Sequence, residues 1–109
     1  IICAGLTASI ATVILIAVPK KQRLTLPNSK FLIHQPLIPG QIYGQASDLE
    51  ITAREILKTR KKINEMLSKE CGQPLAKVEQ DTTRDFWLNA MEAMEYGLVS
   101  RIVENRKDV

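Results

Sequence analysis

The chain has 109 residues, of which 45% are hydrophobic and 25% are charged, a composition typical of one small globular domain. Its formal charge is only +3 at pH 7, and its aromatic residues are one Trp, two Tyr and two Phe. Because nucleic-acid surfaces need a basic stripe or a stacking platform, this composition disfavours nucleic acid as a partner.

Residues 1–18 are almost entirely apolar before Pro19 and a basic cluster. This pattern predicts a buried strand over Ile1–Cys3, a sharp change of direction at Gly5, and a helix over Ala8–Val18 that other structure surrounds. A membrane span has the same hydropathy, so a small membrane-anchored protein is one alternative hypothesis.

Ser9 follows a run of small residues at the junction between the predicted strand and helix. The first N–H groups of a helix have no intrahelical partner, so those after Ser9 could hold a negatively charged oxygen. Ser9 is therefore a candidate nucleophile. A small packing residue or a helix cap is the simpler interpretation of the same stretch.

Two short strands are predicted next, over Arg23–Leu26 and Lys30–His34, joined by a turn at residues 27–29. The second strand places His34 at a strand end. Residues 37–44 are rich in Pro and Gly but also apolar, which predicts a loop or irregular hairpin that is not simply solvated.

A long helix is predicted over residues 47–71, with a capping box at Ser47 and Glu50 and with Gly72 just after its end. Its basic residues fall mostly on one side and are interpreted as a solvated face. The apolar residues recur at three- and four-residue steps: Leu49, Ala53, Ile56, Leu57, Ile63, Met66 and Leu67.

The remaining chain predicts a short helix after Pro74, then a helix that is capped by Asn89 and ends at Gly97. Trp87 and Met91, near the start of that second helix, are interpreted as packing residues. A closing strand is predicted over Leu98–Val103, followed by a polar, frayed tail over residues 104–109.

The cysteines and the histidine favour no metal site. Cys3 and Cys71 lie far apart and outside any Cys-x-x-Cys pattern, so neither a disulfide framework nor a zinc site is predicted. A site built on His34, the only histidine, would need carboxylates from distant parts of the chain.

Several motifs occur in an order and spacing that is much more specific than any one of them. They include Gly5-Leu6-Thr7-Ala8-Ser9-Ile10, Ile33-His34-Gln35-Pro36-Leu37, Gly44-Gln45-Ala46-Ser47-Asp48-Leu49-Glu50-Ile51, Asp81-Thr82-Thr83-Arg84-Asp85 and Glu95-Tyr96-Gly97-Leu98. Together they resemble the ClpP family, the proteolytic subunit of the Clp protease, over nearly all of this chain.

The resemblance implies a serine peptidase site. Ser9 would be the nucleophile, His34 the general base and Asp85 the carboxylate that orients the imidazole. The backbone N–H of Ile10 would be one oxyanion donor, and no metal or other cofactor is implied. Arg84 is a candidate for contacts between rings, although Thr83 stands before it where the family often has an acidic residue.

The resemblance also implies a fold and partners. The fold would be the α/β spiral of the ClpP/crotonase type, with residues 1–109 as the C-terminal part of one peptidase domain. The helix over residues 47–71 would be the handle through which two seven-membered rings stack. Implied partners are an N-terminal ClpP half or other ClpP-like subunits, an AAA+ unfoldase and unfolded polypeptide substrates, with no membrane.

The implied location is intracellular, in the bacterial cytoplasm or the chloroplast stroma rather than the mitochondrial matrix. Two departures from the family keep a second function open. The β-branched Ile10 follows Ser9 where the family usually has Met, and the loop between His34 and Gly44 is longer than usual and contains Pro39. The alternative function is a catalytically weak or inactive structural subunit of a Clp core complex.

Overall fold

Residues 1–34 and 46–109, the part of the chain that this computed structural model describes, form two three-stranded sheets and four α-helices. The strands are β1 (Ile2–Cys3), β2 (Leu6–Ala8), β3 (Leu24–Thr25), β4 (Lys30–Ile33), β5 (Phe86–Asn89) and β6 (Arg101–Ile102). The helices are α1 (Ile10–Ile16), α2 (Ala46–Cys71), α3 (Leu75–Asp81) and α4 (Ala90–Tyr96). This mixed architecture is the predicted α/β class.

The two sheets differ in strand direction. The first has the order β1-β3-β6 and is parallel throughout. The second has the order β2-β4-β5, in which β4 runs parallel to β2 and antiparallel to β5. The strands predicted near residues 23–26 and 30–34 are confirmed with shorter bounds, whereas the predicted strand over Leu98–Val103 is reduced to β6.

The apolar N-terminal segment departs from the predicted single strand and helix. Gly5 adopts a left-handed φ of 80° and turns the chain into β2, so the helix begins at Ile10 rather than at Ala8. The helix is also not surrounded within this chain, because Ile10 is 68% exposed. Within the described ranges, no helix has the length and apolar character needed to cross a membrane.

Helix α2 confirms the predicted long helix and extends it by one residue to Ala46. In its C-terminal half Leu67 is buried and Ile63 packs against the core as predicted, but Met66 is 40% exposed. The N-terminal half does not pack as predicted, because Leu57 is 60% exposed. The predicted capping box depends on the Ser47 side chain, which is not described, and the predicted loop over residues 37–44 lies outside the described residues.

Near the C-terminus, two smaller predictions are wrong. Trp87 and Met91 are more than half exposed instead of packed. The tail is not simply frayed, because Asn105 caps a short 3₁₀ helix over Arg106–Asp108 and accepts a hydrogen bond from the Lys107 N–H. Side chains of Asn and Asp satisfy the open N–H groups there, which a composition-based interpretation overlooks.

A buried arginine ties the first sheet to α2. Arg23 is fully buried beside β3, and its guanidinium donates to the Glu70 carbonyl at 3.2 Å and reaches the Glu70 carboxylate at 3.5 Å. A cation is favoured at a helix C-terminus, where the last carbonyls lack partners. Arg23 therefore fixes the end of the long helix against the parallel sheet.

The end of α2 also meets the end of α4. Asn89 and Glu92 form the predicted capping box at the start of α4, and Gly97 ends the helix with φ of 103°. A Cβ atom at Gly97 would overlap the Cys71 carbonyl group. Glycine is required here for two reasons, the left-handed backbone and the close approach of α2.

We expect Gly97→Ala to lower the free energy of unfolding by roughly 3 kcal/mol, since left-handed strain and overpacking each cost about 1–2 kcal/mol. Gly72→Ala is the matched control, because Gly72 also has a positive φ but has open space where a Cβ would be. It should cost only the strain, about 1 kcal/mol. Urea unfolding of the two variants in the purified native assembly measures both losses, and equal losses would contradict the close approach at Gly97.

Candidate active site

Two parallel strands end side by side at one edge of the second sheet. Ser9 follows the last residue of β2, and His34 follows the last residue of β4. The register pairs Ala8 with Leu32, and the Ser9 N–H donates to the Leu32 carbonyl at 3.2 Å. Ser9 and His34 are therefore neighbours because their strands are neighbours and end together.

The antiparallel strand β5 brings Asp85 to the same edge. The register pairs Ile33 with Phe86 as the last pair of the β4–β5 ladder. One step further along two antiparallel strands, His34 stands opposite Asp85. Sequence positions 9, 34 and 85 thus meet at one sheet edge, which fits their predicted roles, although Asp85 is exposed and is not part of the pocket described below.

Ser9 has a strained backbone, with φ of 60° and ψ of −123°. Among the described residues it is the only non-glycine residue with a positive φ. Such a conformation costs about 1–3 kcal/mol in a residue that has a Cβ, and such costs cluster at functional sites. The sharp turn between β2 and α1 produces this strain and leaves the Ser9 side chain exposed.

The helix-cap interpretation of Ser9 is not supported by its contacts. Ser9 occupies the N-cap position of α1, but its side chain makes no capping hydrogen bond there. The first helical turn closes through the Thr12 N–H, which donates to the Ser9 carbonyl at 3.1 Å. The N–H groups of Ile10 and Ala11 precede that bond at the open end of the helix.

A pocket of about 280 Å³ lies between α1, β4 and α2. Its lining residues are Ser9, Ile10, Thr12, Val13, Ile33, His34, Thr59, Ile63 and Leu67. The sequence did not connect Thr59, Ile63 and Leu67 with the site. Their spacing of four residues on one helix face is the signal that could have done so. The pocket offers an apolar cavity directly beside the Ser9 hydroxyl and the His34 imidazole.

The other acidic residue of the same motif has a different surrounding. Asp81, at the end of α3, accepts hydrogen bonds at Oδ2 from Lys77 Nζ at 2.8 Å and from the Tyr96 hydroxyl at 3.2 Å. It lies four positions before Asp85 in sequence and joins α3 to α4. Arg84, the candidate for contacts between rings, is exposed.

Neither cysteine is a candidate nucleophile. Burial raises the pKa of the Cys71 thiol to about 11, against the opposing effect of Arg23. Burial also raises the pKa of the Cys3 thiol, which a hydrogen bond with Thr7 partly offsets. Both thiols are protonated at neutral pH, and only a thiolate is a strong nucleophile. Residues 1–34 and 46–109 contain no cluster of His, Cys, Asp or Glu suited to a metal ion.

Comparison with protein families gives a match over residues 1–106 to the family described as Clp protease. The match covers both sheets and all four described helices. It therefore includes the strand ends that bring residues 9, 34 and 85 together.

Individual relatives agree with the family match. The chain is 50% identical over 105 residues to an ATP-dependent Clp protease proteolytic subunit 3 of Rhizobium johnstonii, covering 96% of the chain and 53% of the relative. It is 50% identical over 107 residues to a proteolytic subunit of Porphyromonas gingivalis (97% and 47%) and 51% identical over 105 residues to a proteolytic subunit 2 of Treponema denticola (96% and 52%). The chain spans about half the length of these relatives.

The strain at Ser9 predicts an unusually large difference in stability between two of its variants. Ser9→Gly should be more stable than Ser9→Ala by about 2 kcal/mol, because glycine relieves the strain of the turn while alanine keeps it. At an ordinary helix N-cap glycine exceeds alanine by only about 0.5–1 kcal/mol. Urea unfolding of both variants in the purified native assembly measures the difference, and a value of about 1 kcal/mol or less would show that the turn is unstrained.

Proposed function

Because this chain belongs to the Clp protease family, we propose that it is a subunit of an ATP-dependent, Clp-type serine endopeptidase and that Ser9, His34 and Asp85 carry out the acyl transfer. The observation that carries this proposal is the meeting of Ser9 and His34 in one pocket, with Ser9 on a strained turn. The β4–β5 register supports Asp85 as the third member.

The proposed reaction follows from the groups at the sheet edge. The Ser9 hydroxyl attacks the carbonyl carbon of a peptide bond while the His34 imidazole accepts its proton. The same imidazole then donates that proton to the departing amine, and water completes the cycle by releasing the acyl group from Ser9. The Asp85 carboxylate orients the imidazole and stabilises its protonated form.

The oxyanion of the tetrahedral intermediate needs donors beside Ser9. The Ile10 N–H, next after the nucleophile at the start of α1, is the proposed first donor. In this proposal the strained turn holds the Ser9 hydroxyl and the Ile10 N–H close together, so that both act on the carbonyl group of the scissile peptide bond. The second donor is proposed to come from an N-terminal half outside residues 1–109.

The proposed substrates are unfolded polypeptides that an AAA+ unfoldase delivers. The apolar pocket beside Ser9 suits an uncharged side chain of an extended peptide, which would hold the scissile bond at the hydroxyl. The relatives are named as subunits of ATP-dependent proteases, which supports an ATP-driven partner. The reaction uses groups of the protein alone and assigns no role to a metal or cofactor.

Exposed apolar surface supports the proposal that other polypeptides complete the site. Ile1, Ile2, Ala4 and Ile14 are exposed and help to line a second groove, of about 240 Å³, between β1 and α1. An apolar surface of this kind on a soluble protein marks an interaction site. We propose that an N-terminal ClpP half, on the same or another chain, covers it.

The proposed assembly is a pair of stacked seven-membered rings of ClpP-like subunits. The N-terminal half of α2 exposes Ile51 and Leu57, so it is suited to be the handle between the rings. Exposed Arg84 is proposed to contact the opposite ring. We place the assembly in an intracellular compartment, the bacterial cytoplasm or the chloroplast stroma, and the bacterial origin of the named relatives supports the former.

We expect Ser9→Ala to reduce peptidase activity of this subunit by about 10⁴-fold or more while leaving assembly intact, since only the hydroxyl is lost. A serine-reactive phosphonate should label Ser9 in the unmodified chain, as read by mass spectrometry of that chain. Absence of labelling in an intact assembly would favour the alternative, a catalytically inactive structural subunit.

The two aspartates can be separated by substitution with asparagine. Asp85→Asn should lower turnover by roughly 10⁴-fold, because an amide at that position favours the wrong imidazole tautomer. Asp81→Asn should stay within about tenfold of the unmodified chain, since the amide oxygen still accepts from Tyr96 and Lys77. A larger loss with Asp81→Asn than with Asp85→Asn in a peptide-hydrolysis assay would overturn the assignment of the carboxylate.

The exposed surface makes a prediction about residues 1–109 expressed alone. They should aggregate, because the groove beside β1 and the exposed half of α2 would both face water. Adding an N-terminal ClpP half should restore a soluble species and phosphonate labelling together. Sedimentation velocity tests this, and a soluble, active monomer of residues 1–109 alone would refute it.

A further inference from the structure

Residues 82–85 connect α3 to β5 and carry Asp85, so the position of this short segment sets the position of the proposed triad carboxylate. We propose that Tyr96 is a positioning residue that holds both ends of this segment, so that Asp85 stays opposite His34. This inference rests on the proposed function, because it assigns Tyr96 a role that acts through Asp85.

Tyr96 holds the start of the segment through its hydroxyl. The hydroxyl donates to Asp81 Oδ2 at 3.2 Å, and Asp81 Oδ2 also accepts a hydrogen bond from Lys77 Nζ at 2.8 Å. The Lys77 ammonium also lies 5.0 Å from the centre of the Tyr96 ring, within the range of a cation–π contact. Two side chains, Lys77 on α3 and Tyr96 on α4, thereby fix Asp81, the last residue of α3.

The ring of Tyr96 holds the other end of the segment. It meets the Phe86 ring edge to face, with centroids 5.2 Å apart and planes at 71°. Phe86 directly follows Asp85 and pairs with Ile33, the residue before His34. One side chain therefore contacts the residue before the segment and the residue after it.

Tyr96 is itself firmly held. Its side chain is buried, and its carbonyl accepts a hydrogen bond from Gln73 Nε2 at 2.9 Å. Burial, and then the charge of the nearby Asp81 carboxylate, raise the pKa of the Tyr96 hydroxyl above its ordinary value. The hydroxyl thus remains a hydrogen-bond donor throughout the neutral and mildly alkaline range.

Two threonines within the segment make further hydrogen bonds. Thr82 is buried and its hydroxyl contacts the Val78 carbonyl at 2.7 Å and Asn64 Oδ1 at 3.2 Å. Residues 83–85 are exposed, and the Thr83 hydroxyl donates to the Gln80 carbonyl at 2.8 Å. Asp85 itself lies between these anchors and Phe86, and Tyr96 contacts the residue at each end of the segment.

The test measures how fast a serine-reactive phosphonate labels Ser9 in the purified native assembly, read on this chain by mass spectrometry. Tyr96→Phe keeps the ring contact with Phe86 and removes the hydrogen bond to Asp81. It should lower the maximal labelling rate constant by about tenfold, because small misplacements of catalytic groups have effects of this order. The final labelled fraction should be unchanged. Asp81→Leu, which removes the acceptor instead, should lower the rate constant by a similar factor.

The control is Thr25→Val, which removes a buried hydroxyl from the other sheet, where it contacts the Cys3 carbonyl at 3.3 Å. It should leave the labelling rate constant unchanged. A purely structural effect would lower the final labelled fraction of a variant, and equal effects of Thr25→Val and Tyr96→Phe on the rate constant would overturn the positioning role.

A double-mutant cycle decides whether Tyr96 acts through Asp85. In an Asp85→Asn background, Tyr96→Phe should cause no further loss, whereas independent effects would multiply. Two results would overturn the inference but leave the proposed triad in place. One is a full tenfold loss of the labelling rate constant when Tyr96→Phe is added to Asp85→Asn. The other is no loss with Tyr96→Phe alone while Asp85→Asn slows labelling. Failure of Ser9 to be labelled at all in the unmodified chain would overturn both.

Discussion

The position of β4 between β2 and β5 is the constraint on which the candidate site depends. A parallel partner ends where β4 ends and an antiparallel partner begins there, so three of the described strands reach the same edge of the sheet. Any slip in register by one residue would turn His34 to the opposite face of the sheet. Buried Phe31 and Ile33 on one face of β4 prevent such a slip, because it would expose both side chains. Core packing thereby fixes the geometry of the proposed chemistry.

The sequence predicted the elements that depend on local signals. Asn89, Glu92 and Gly97 define a helix by capping chemistry alone, and the structure has that helix with both caps. The sequence failed at β2, where Leu6–Ala8 have no strand signal of their own and become extended by pairing with β4. It also placed Leu57 in a buried stripe, since periodicity shows that a helix has an apolar face without showing what covers it.

The candidate site also depends on contacts that local sequence signals do not reveal. Ser9, His34 and Asp85 were found by resemblance to a family, and no spacing rule could have joined residues so far apart in sequence. The register of β4 supplies the physical reason for their proximity. The wall that α2 contributes to the pocket was missed, because Thr59 and Ile63 look like ordinary helix residues until the tertiary packing places them beside Ser9.

Helix α2 links the pocket to the exposed surface. Its C-terminal half is fixed by Arg23 at its end and by Leu67 in the core, while its middle provides Thr59 and Ile63 to the pocket. Its first half extends beyond the core with Ile51 and Leu57 exposed. A helix is stiff along its axis because the hydrogen bonds from each N–H to the carbonyl four residues earlier join successive turns. Exposed Ile51 lies about two helical turns before Thr59 of the pocket wall. The proposed assembly and the proposed chemistry therefore share one structural element.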